Sequence, residues 1–149
     1  DYYMVNCICE QKSSIDLVDK VVWHIMTYKI VKLVIEENTD ASLAARIIDR
    51  LKARGVKYCE VVTIYNTVSK AARIADMAVT VKNSLIFPSR ACTAGNKATS
   101  VFMKLLTEYT TNGRNVHDDV PDAICGFAQH IIVNPARRHV VTTEKKLPI

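Results

Sequence analysis

The sequence predicts an α/β fold in which strands and amphipathic helices alternate around a partly parallel sheet. Segments rich in β-formers, at 2–9, 30–35 and 58–64, are separated by helical segments whose apolar residues lie three and four positions apart. A strand–helix–strand–helix–strand order of this kind is typical of sandwiches that contain parallel strands. The chain has 149 residues, 49% of them hydrophobic, which is enough for one domain with a core.

The elements of the first half have recognisable boundaries. Alternating residues at 2–9 predict a strand, and the S-x-x-D pattern from Ser13 to Asp16 predicts the start of a helix that runs to about Tyr28. Residues 30–35 predict a second strand, and residues 42–54 a second helix that ends at Gly55 in the C′ position. A third strand is predicted at 58–64.

The second half alternates short elements with polar loops. A helix is predicted from Ser69 to about Met77, followed by a β-hairpin in which 79–81 and 85–87 flank 82–84 and Pro88 closes the second strand. Residues 89–96 and 110–117 predict loops around a helix at 97–109. A last helix runs to 133, with Asp119 or Val120 as its N-cap and Pro121 at its first position.

Composition limits the function without deciding it. The net charge of +5 and the pI near 9.0 are compatible with a polyanionic partner such as nucleic acid. We expect no membrane span, because no apolar run approaches roughly 20 residues, and no secretory signal, so a soluble, intracellular protein is predicted. The five cysteines include no C-x-x-C pair, and we interpret them as reduced thiols rather than as a zinc site or disulfides.

Carboxylates at the ends of two distant elements are the candidates for chemistry. Glu36 ends the second predicted strand, where ligands gather in α/β sheets. Asp118, Asp119 and Asp122 crowd the start of the last helix behind His117, and three carboxylates so close repel one another unless solvent, a proton or a cation intervenes. We therefore predict a site for Mg²⁺ or Mn²⁺, which favour oxygen ligands. The alternatives are a solvated loop at Glu36 and simple N-capping by the aspartates.

Two such ions would activate water and stabilise the leaving oxygen of a phosphodiester. His117 is either a nitrogen ligand or a residue that caps the loop. Lys70 and Arg73, one helical turn apart, are either contacts for DNA phosphates or ordinary surface residues.

Three motifs, in order, resemble the nuclease domain of the large terminase subunit of tailed bacteriophages, a ribonuclease-H-like and retroviral-integrase-like endonuclease. Residues 34–38 (VIEEN) resemble the strand of that family that ends in E-x-N. Residues 69–74 (SKAARI), with the apolar segment that ends at Pro88, are similar to its K-x-x-R-I segment and hairpin. Residues 117–123 (HDDVPDA) are similar to its H-D-D-x-x-D-A signature. The resemblance covers roughly residues 2–133.

The resemblance implies a mixed central sheet flanked by helices with an extra β-hairpin, so that 1–133 is a nuclease domain and 134–149 a basic tail. It implies a metal-dependent endonuclease that cuts concatemeric double-stranded viral DNA during packaging in the host cytoplasm. It implies two ions, Mg²⁺ or Mn²⁺, with Glu36, Asp119 and Asp122 as catalytic carboxylates, and Asp118 and His117 as further metal ligands. The implied partners are double-stranded DNA, the small subunit, the portal protein and the packaging ATPase domain.

One departure from the family concerns its opening strand, which carries the first catalytic Asp. No such strand precedes residues 2–9, and Asp1 is not assigned that role. We therefore expect the domain to be incomplete at its N-terminus and the nuclease activity of this chain to be weak or absent. Two other hypotheses stay open, namely another ribonuclease-H-like nuclease of the resolvase or transposase type, and a non-catalytic DNA-binding or assembly module.

Overall fold

The helices and strands of the chain are seen in a computed structural model that describes residues 1–10, 13–37, 42–89, 91, 94–111, 115 and 117–133. In chain order they are β1 (Tyr2–Tyr3), α1 (Ser14–Tyr28), β2 (Lys32–Glu36), α2 (Leu43–Ala53), β3 (Glu60–Ile64), α3 (Lys70–Ser84), β4 (Leu85–Ile86), α4 (Lys97–Thr107), α5 (Asp119–Phe127) and a π-helical segment (Ala128–Val133). The described residues form two compact units, one from 1–10 with 68–133 and the other from 13–67.

The unit at 13–67 is a strand pair covered by two helices. β2 and β3 are parallel, in a register that runs from Lys32 opposite Glu60 to Glu36 opposite Ile64. α1 and α2 pack together, and they bury one apolar cluster with the strands because each helix has a single apolar face. That core consists of Val18, Val22, Ile25, Ile35, Ala44, Ile47 and Leu51.

The helix boundaries of this unit follow the sequence signals. The Ser13 hydroxyl accepts a hydrogen bond from the Asp16 backbone N–H at 3.3 Å, as an N-cap should. α2 ends at Ala53, and Gly55 adopts a positive φ of 68° in the predicted C′ position, which an L side chain would disfavour. The predictions of helices at 13–28 and 42–54 are confirmed.

The unit at 1–10 and 68–133 is mainly helical. α5 packs against both α3 and α4, and the residues buried in this unit include Ile74, Phe102, Val120, Cys125 and Ala128. β1 pairs with β4 in parallel, and the Met4 N–H extends the pairing by donating to the Ile86 carbonyl at 3.0 Å. The ring of Tyr2 meets Phe127 edge-on at 5.6 Å, which fixes the N-terminal segment against the end of α5.

The predicted β-hairpin at 79–87 is wrong. α3 continues without a break to Ser84, so 79–84 are helical and only Leu85 and Ile86 are extended. The segment 82–84 lacks the glycine that a tight hairpin turn favours, while the alanine-rich start of α3 favours propagation of the helix. The strand predicted at 2–9 is likewise limited to Tyr2 and Tyr3, because β4 offers a partner of only two residues.

The α/β class and the parallel pairing are confirmed, but the strands of the described residues form two separate pairs rather than one mixed sheet. The predicted tail at 134–149, Cys92 and parts of the loops at 89–96 and 110–117 lie outside the described residues. None of the helices within the described part of the chain is long and apolar enough to cross a membrane.

The described cysteines are free thiols, as predicted. Burial raises the pKa of Cys7 and of Cys59, and it raises the pKa of Cys125 to about 11. These thiols are therefore protonated at neutral pH, which is the inert form.

Candidate functional site

The start of α5 brings three carboxylates to one end of a helix. α5 begins at Asp119, with Asp118 at the N-cap and Asp119 and Asp122 in the first turn. The predicted N-cap, Asp119 or Val120, is therefore wrong, because the N-cap is Asp118 and Pro121 occupies the third helical residue rather than the first. A proline is tolerated there because the N–H groups of the first turn have no partner within the helix. Aspartates at this end also interact favourably with the helix dipole.

Two cations at the start of α3 face these carboxylates. Ser69 caps α3 by accepting from the Ala72 N–H at 3.4 Å, so Lys70 and Arg73 lie in its first turns. Cations near a helix N-terminus are disfavoured by its dipole. Carboxylates supplied by a neighbouring helix offset that penalty.

Arg73 and Asp122 form a buried bidentate ion pair. The Arg73 Nε donates to Asp122 Oδ1 at 2.9 Å, and Nη2 donates to Oδ2 at 2.6 Å. The Nη1 group donates to the Val68 carbonyl at 2.9 Å, so the guanidinium fork is held at three points. Arg73 is 5% exposed and Asp122 is 7% exposed. The pair therefore has the short, planar geometry that stabilises buried charges.

Lys70 bridges the two exposed aspartates. Its Nζ donates to Asp119 Oδ1 at 2.6 Å and to Asp118 Oδ1 at 3.2 Å. These hydrogen bonds, the one to Asp119 foremost, raise the pKa of Lys70, so the amine is protonated over the physiological range. Lys70 thus acts as a counter-cation and not as a general base.

The two sets of charges match in spacing. Lys70 and Arg73 are three residues apart on α3, as Asp119 and Asp122 are on α5, and the first residue of each set meets the first of the other. This match requires the starts of α3 and α5 to lie side by side. We name the five residues Lys70, Arg73, Asp118, Asp119 and Asp122 the charge cluster.

The other predicted ligands lie outside the charge cluster. His117 is exposed and immediately precedes Asp118. Glu36 is exposed at the carboxyl end of β2, in the other unit, where the Glu37 N–H donates to the Ile64 carbonyl at 3.0 Å. The grouping of Glu36 with the aspartates therefore stays a prediction. Among the residues that the structure describes, no three His, Cys, Asp or Glu side chains are grouped closely enough to hold a metal ion.

Sequence reasoning missed the partners of Lys70 and Arg73. It treated both as contacts for DNA or as surface residues, whereas both bind the carboxylates that were assigned to a metal. The equal spacing of K-x-x-R and D-x-x-D was the available signal.

Comparison with known proteins adds no relative, because no family model, no curated protein and no solved structure matches this chain.

Proposed function

We propose that this chain is the metal-dependent endonuclease domain of a phage DNA-packaging terminase, which hydrolyses phosphodiester bonds of concatemeric double-stranded DNA. The observation that carries the proposal is the charge cluster. Two motifs of the resemblance, at 69–74 and 117–123, are far apart in sequence, yet Lys70 and Asp119 are in direct contact at 2.6 Å. Motifs that serve one site must meet in this way, whereas chance matches have no reason to.

The donor set of the cluster fits a hard divalent cation in kind. The side chains of Asp118 and Asp119 are 43% and 82% exposed, and carboxylate oxygens are the ligands that Mg²⁺ and Mn²⁺ prefer. We assign these two aspartates as residues that would hold the metal, and Glu36 stays a ligand predicted from the sequence resemblance. When bound, the metal supplies an activated water and stabilises the leaving oxygen.

Asp122 has a different role in the proposal. Both of its oxygens accept hydrogen bonds from the buried Arg73, so it orients the start of α5 and thereby aims Asp118 and Asp119. Arg73 is too buried to contact DNA phosphate and shares this positioning role. Lys70, whose side chain is 44% exposed, remains the candidate contact for DNA.

Plasmid cleavage in the presence of Mn²⁺ tests the proposal. We expect Glu36→Ala and Asp119→Asn to reduce cleavage to background, because each removes an oxygen ligand. Asp76→Asn is the matched control, since Asp76 is an exposed aspartate on α3 outside the charge cluster. Detectable cleavage that is equal for the wild type, Glu36→Ala and Asp119→Asn would reject the site.

The second candidate is a non-catalytic DNA-binding or assembly module. Lys70 and Arg73 already bind all three aspartates, so the crowded carboxylates are stabilised by side chains alone. Thermal unfolding with millimolar Mn²⁺ separates the two candidates. A rise in Tm that Asp119→Asn abolishes and Asp76→Asn keeps supports the nuclease, whereas an unchanged Tm in all three proteins supports the module.

Substrate preference distinguishes the terminase proposal from another ribonuclease-H-like nuclease of the resolvase or transposase type. The terminase proposal expects linear duplex and plasmid DNA to be cut as well as branched DNA. Strong preference for a four-way junction would favour the resolvase type.

A further inference from the structure

A cluster of aromatic rings, three of them exposed and one half-buried, lies at the C-terminal end of α1, far in sequence from the charge cluster. It consists of Trp23, His24, Tyr28 and Tyr58, and we name it the aromatic patch. Trp23 meets His24 edge-on at 5.0 Å and Tyr28 edge-on at 6.4 Å, and His24 lies 5.7 Å from Tyr28. The Tyr58 hydroxyl donates to the Ile25 carbonyl at 3.2 Å, which brings the fourth ring to the same end of the helix.

The core of this unit does not need the aromatic patch. α1 buries Val18, Val22 and Ile25 against α2 and the strands, whereas Trp23 is 56% exposed and Tyr28 and Tyr58 are each 41% exposed. A single exposed ring is ordinary, but adjoining rings that together remain in water are typical of a surface that binds a partner.

The charges beside the aromatic patch favour a polyanion. The Lys29 ammonium lies over the Tyr58 ring, 5.7 Å from its centre, and the exposed Lys57 adjoins Tyr58 in the chain. Lys20 is one turn before His24, whose Nδ1–H donates to the Lys20 carbonyl at 2.9 Å.

The nearest acidic residue on this helix is already paired. Asp19, one turn before Trp23, binds Arg50 at 3.3 Å. Aromatic faces bordered by lysines are the combination that holds unpaired bases and their phosphates.

We propose that the aromatic patch binds single-stranded DNA, with bases stacked on Trp23 and its neighbours and phosphates near Lys29 and Lys57. Duplex DNA fits less well, because its base faces are covered by neighbouring base pairs. The choice of DNA over RNA rests on the proposed function. The surface itself lies in the unit at 13–67 and requires no metal.

Trp23 is the only tryptophan of the chain, so its fluorescence reports on this surface alone. We expect a single-stranded dT oligonucleotide of about 12 nucleotides, a length within the usual site sizes, to quench Trp23 in EDTA. An abasic oligonucleotide of the same length carries the same phosphates, and a duplex has the same bases covered. Both should quench much less. Equal quenching by the abasic strand would overturn the stacking proposal, as would no quenching at all.

Variants are compared by the fluorescence anisotropy of a labelled dT oligonucleotide. Trp23→Ala should bind about tenfold more weakly, as expected for the loss of one base–aromatic stack, while Trp23→Phe keeps most of the affinity. Ile15→Ala is the matched control, because Ile15 is an apolar residue of α1 that is 69% exposed and two turns before Trp23. An equal loss for Trp23→Ala and Ile15→Ala would overturn the assignment.

Lys29→Asn removes the charge and keeps a residue that tolerates the positive φ of 53° at this position. It should reduce the slope of log affinity against log salt by about 1. An unchanged slope would overturn the role of Lys29.

A shift of Trp23 emission with protein concentration in the absence of DNA would overturn the DNA proposal, because the surface would then bind a second copy. Plasmid cleavage and the effect of Mn²⁺ on Tm separate this inference from the proposed function. If millimolar Mn²⁺ leaves the Tm of the wild type unchanged but dT binding is lost in Trp23→Ala alone, the aromatic patch stands and the nuclease falls. If plasmid DNA is cleaved but Trp23 is not quenched, the nuclease stands and the aromatic patch falls.

Discussion

The ion pair between Arg73 and Asp122 makes the sharpest prediction for stability. Removing the Asp122 carboxylate leaves a guanidinium that is 5% exposed without its two charged hydrogen bonds. Charged hydrogen bonds contribute about 1.5–3 kcal/mol each, and breaking one partner of a buried pair costs about 3–5 kcal/mol. Asp122→Asn keeps one hydrogen-bond acceptor, so we expect the free energy of unfolding to fall by about 3 kcal/mol, the lower end of the range for a broken buried pair.

Arg73→Met should lower the free energy of unfolding by a similar amount, because it leaves the buried Asp122 carboxylate without its paired guanidinium. The double variant removes both charges and should cost no more than either single variant. The coupling energy of the double-mutant cycle is then about 3 kcal/mol.

Urea unfolding followed by far-UV circular dichroism measures the four free energies of the cycle, with the m-value checked for each protein. Single variants that each cost less than about 1 kcal/mol, or losses that add to within about 0.5 kcal/mol, would refute this role of the ion pair. Asp76→Asn serves again as the control for an exposed aspartate of α3, and we expect it to be neutral within about 0.5 kcal/mol.

Four further predictions concern single side chains. Lys70→Met should lower the free energy of unfolding by less than about 1 kcal/mol at pH 7, because the ion pair is exposed. Since the pKa of Lys70 is raised in the folded chain, this stabilisation is present below the ordinary lysine range and is lost as the pH rises through the folded pKa. Urea unfolding at several alkaline pH values would reveal this loss. Cys125, with a pKa raised to about 11, should resist iodoacetamide at pH 8 in the folded chain and react in urea, and mass spectrometry of the peptides would detect fast native labelling if the burial were wrong. Ile47→Ala should lower the unfolding free energy of the unit at 13–67 by about 2–5 kcal/mol, read from Trp23 fluorescence in urea, because Ile47 is 1% exposed in its core. Ser69→Ala should cost about 1 kcal/mol in thermal unfolding through loss of the N-cap of α3, and a Tm equal to the wild type would contradict that role.

Local signals predicted most helices because caps and apolar spacing are properties of neighbouring residues. Ser13, Ser42 and Gly55 mark the ends of α1 and α2 almost where the structure has them. The hairpin at 79–87 failed for the same reason: valines and threonine have a high strand propensity, but a helix already started at Ser69 continues through them at small cost.

The pairing of β1 with β4 could not be predicted from the sequence. Nothing local in 2–9 reveals that β4 provides only two residues to pair with Tyr2 and Tyr3. The sequence predicted the acidic half of the charge cluster, because three crowded aspartates need a cation beside them. Lys70 and Arg73 meet these aspartates because α3 packs on α5, and the equal spacing of the two motifs does not by itself establish that packing.

The pairing of β1 with β4 limits where this polypeptide can be truncated. Residues 1–10 belong to the same compact unit as residues 68–133, so the segment 13–67 lies between the two parts of that unit in the sequence. A fragment that begins at 68 therefore loses both the strand beside β4 and the ring of Tyr2 that contacts Phe127.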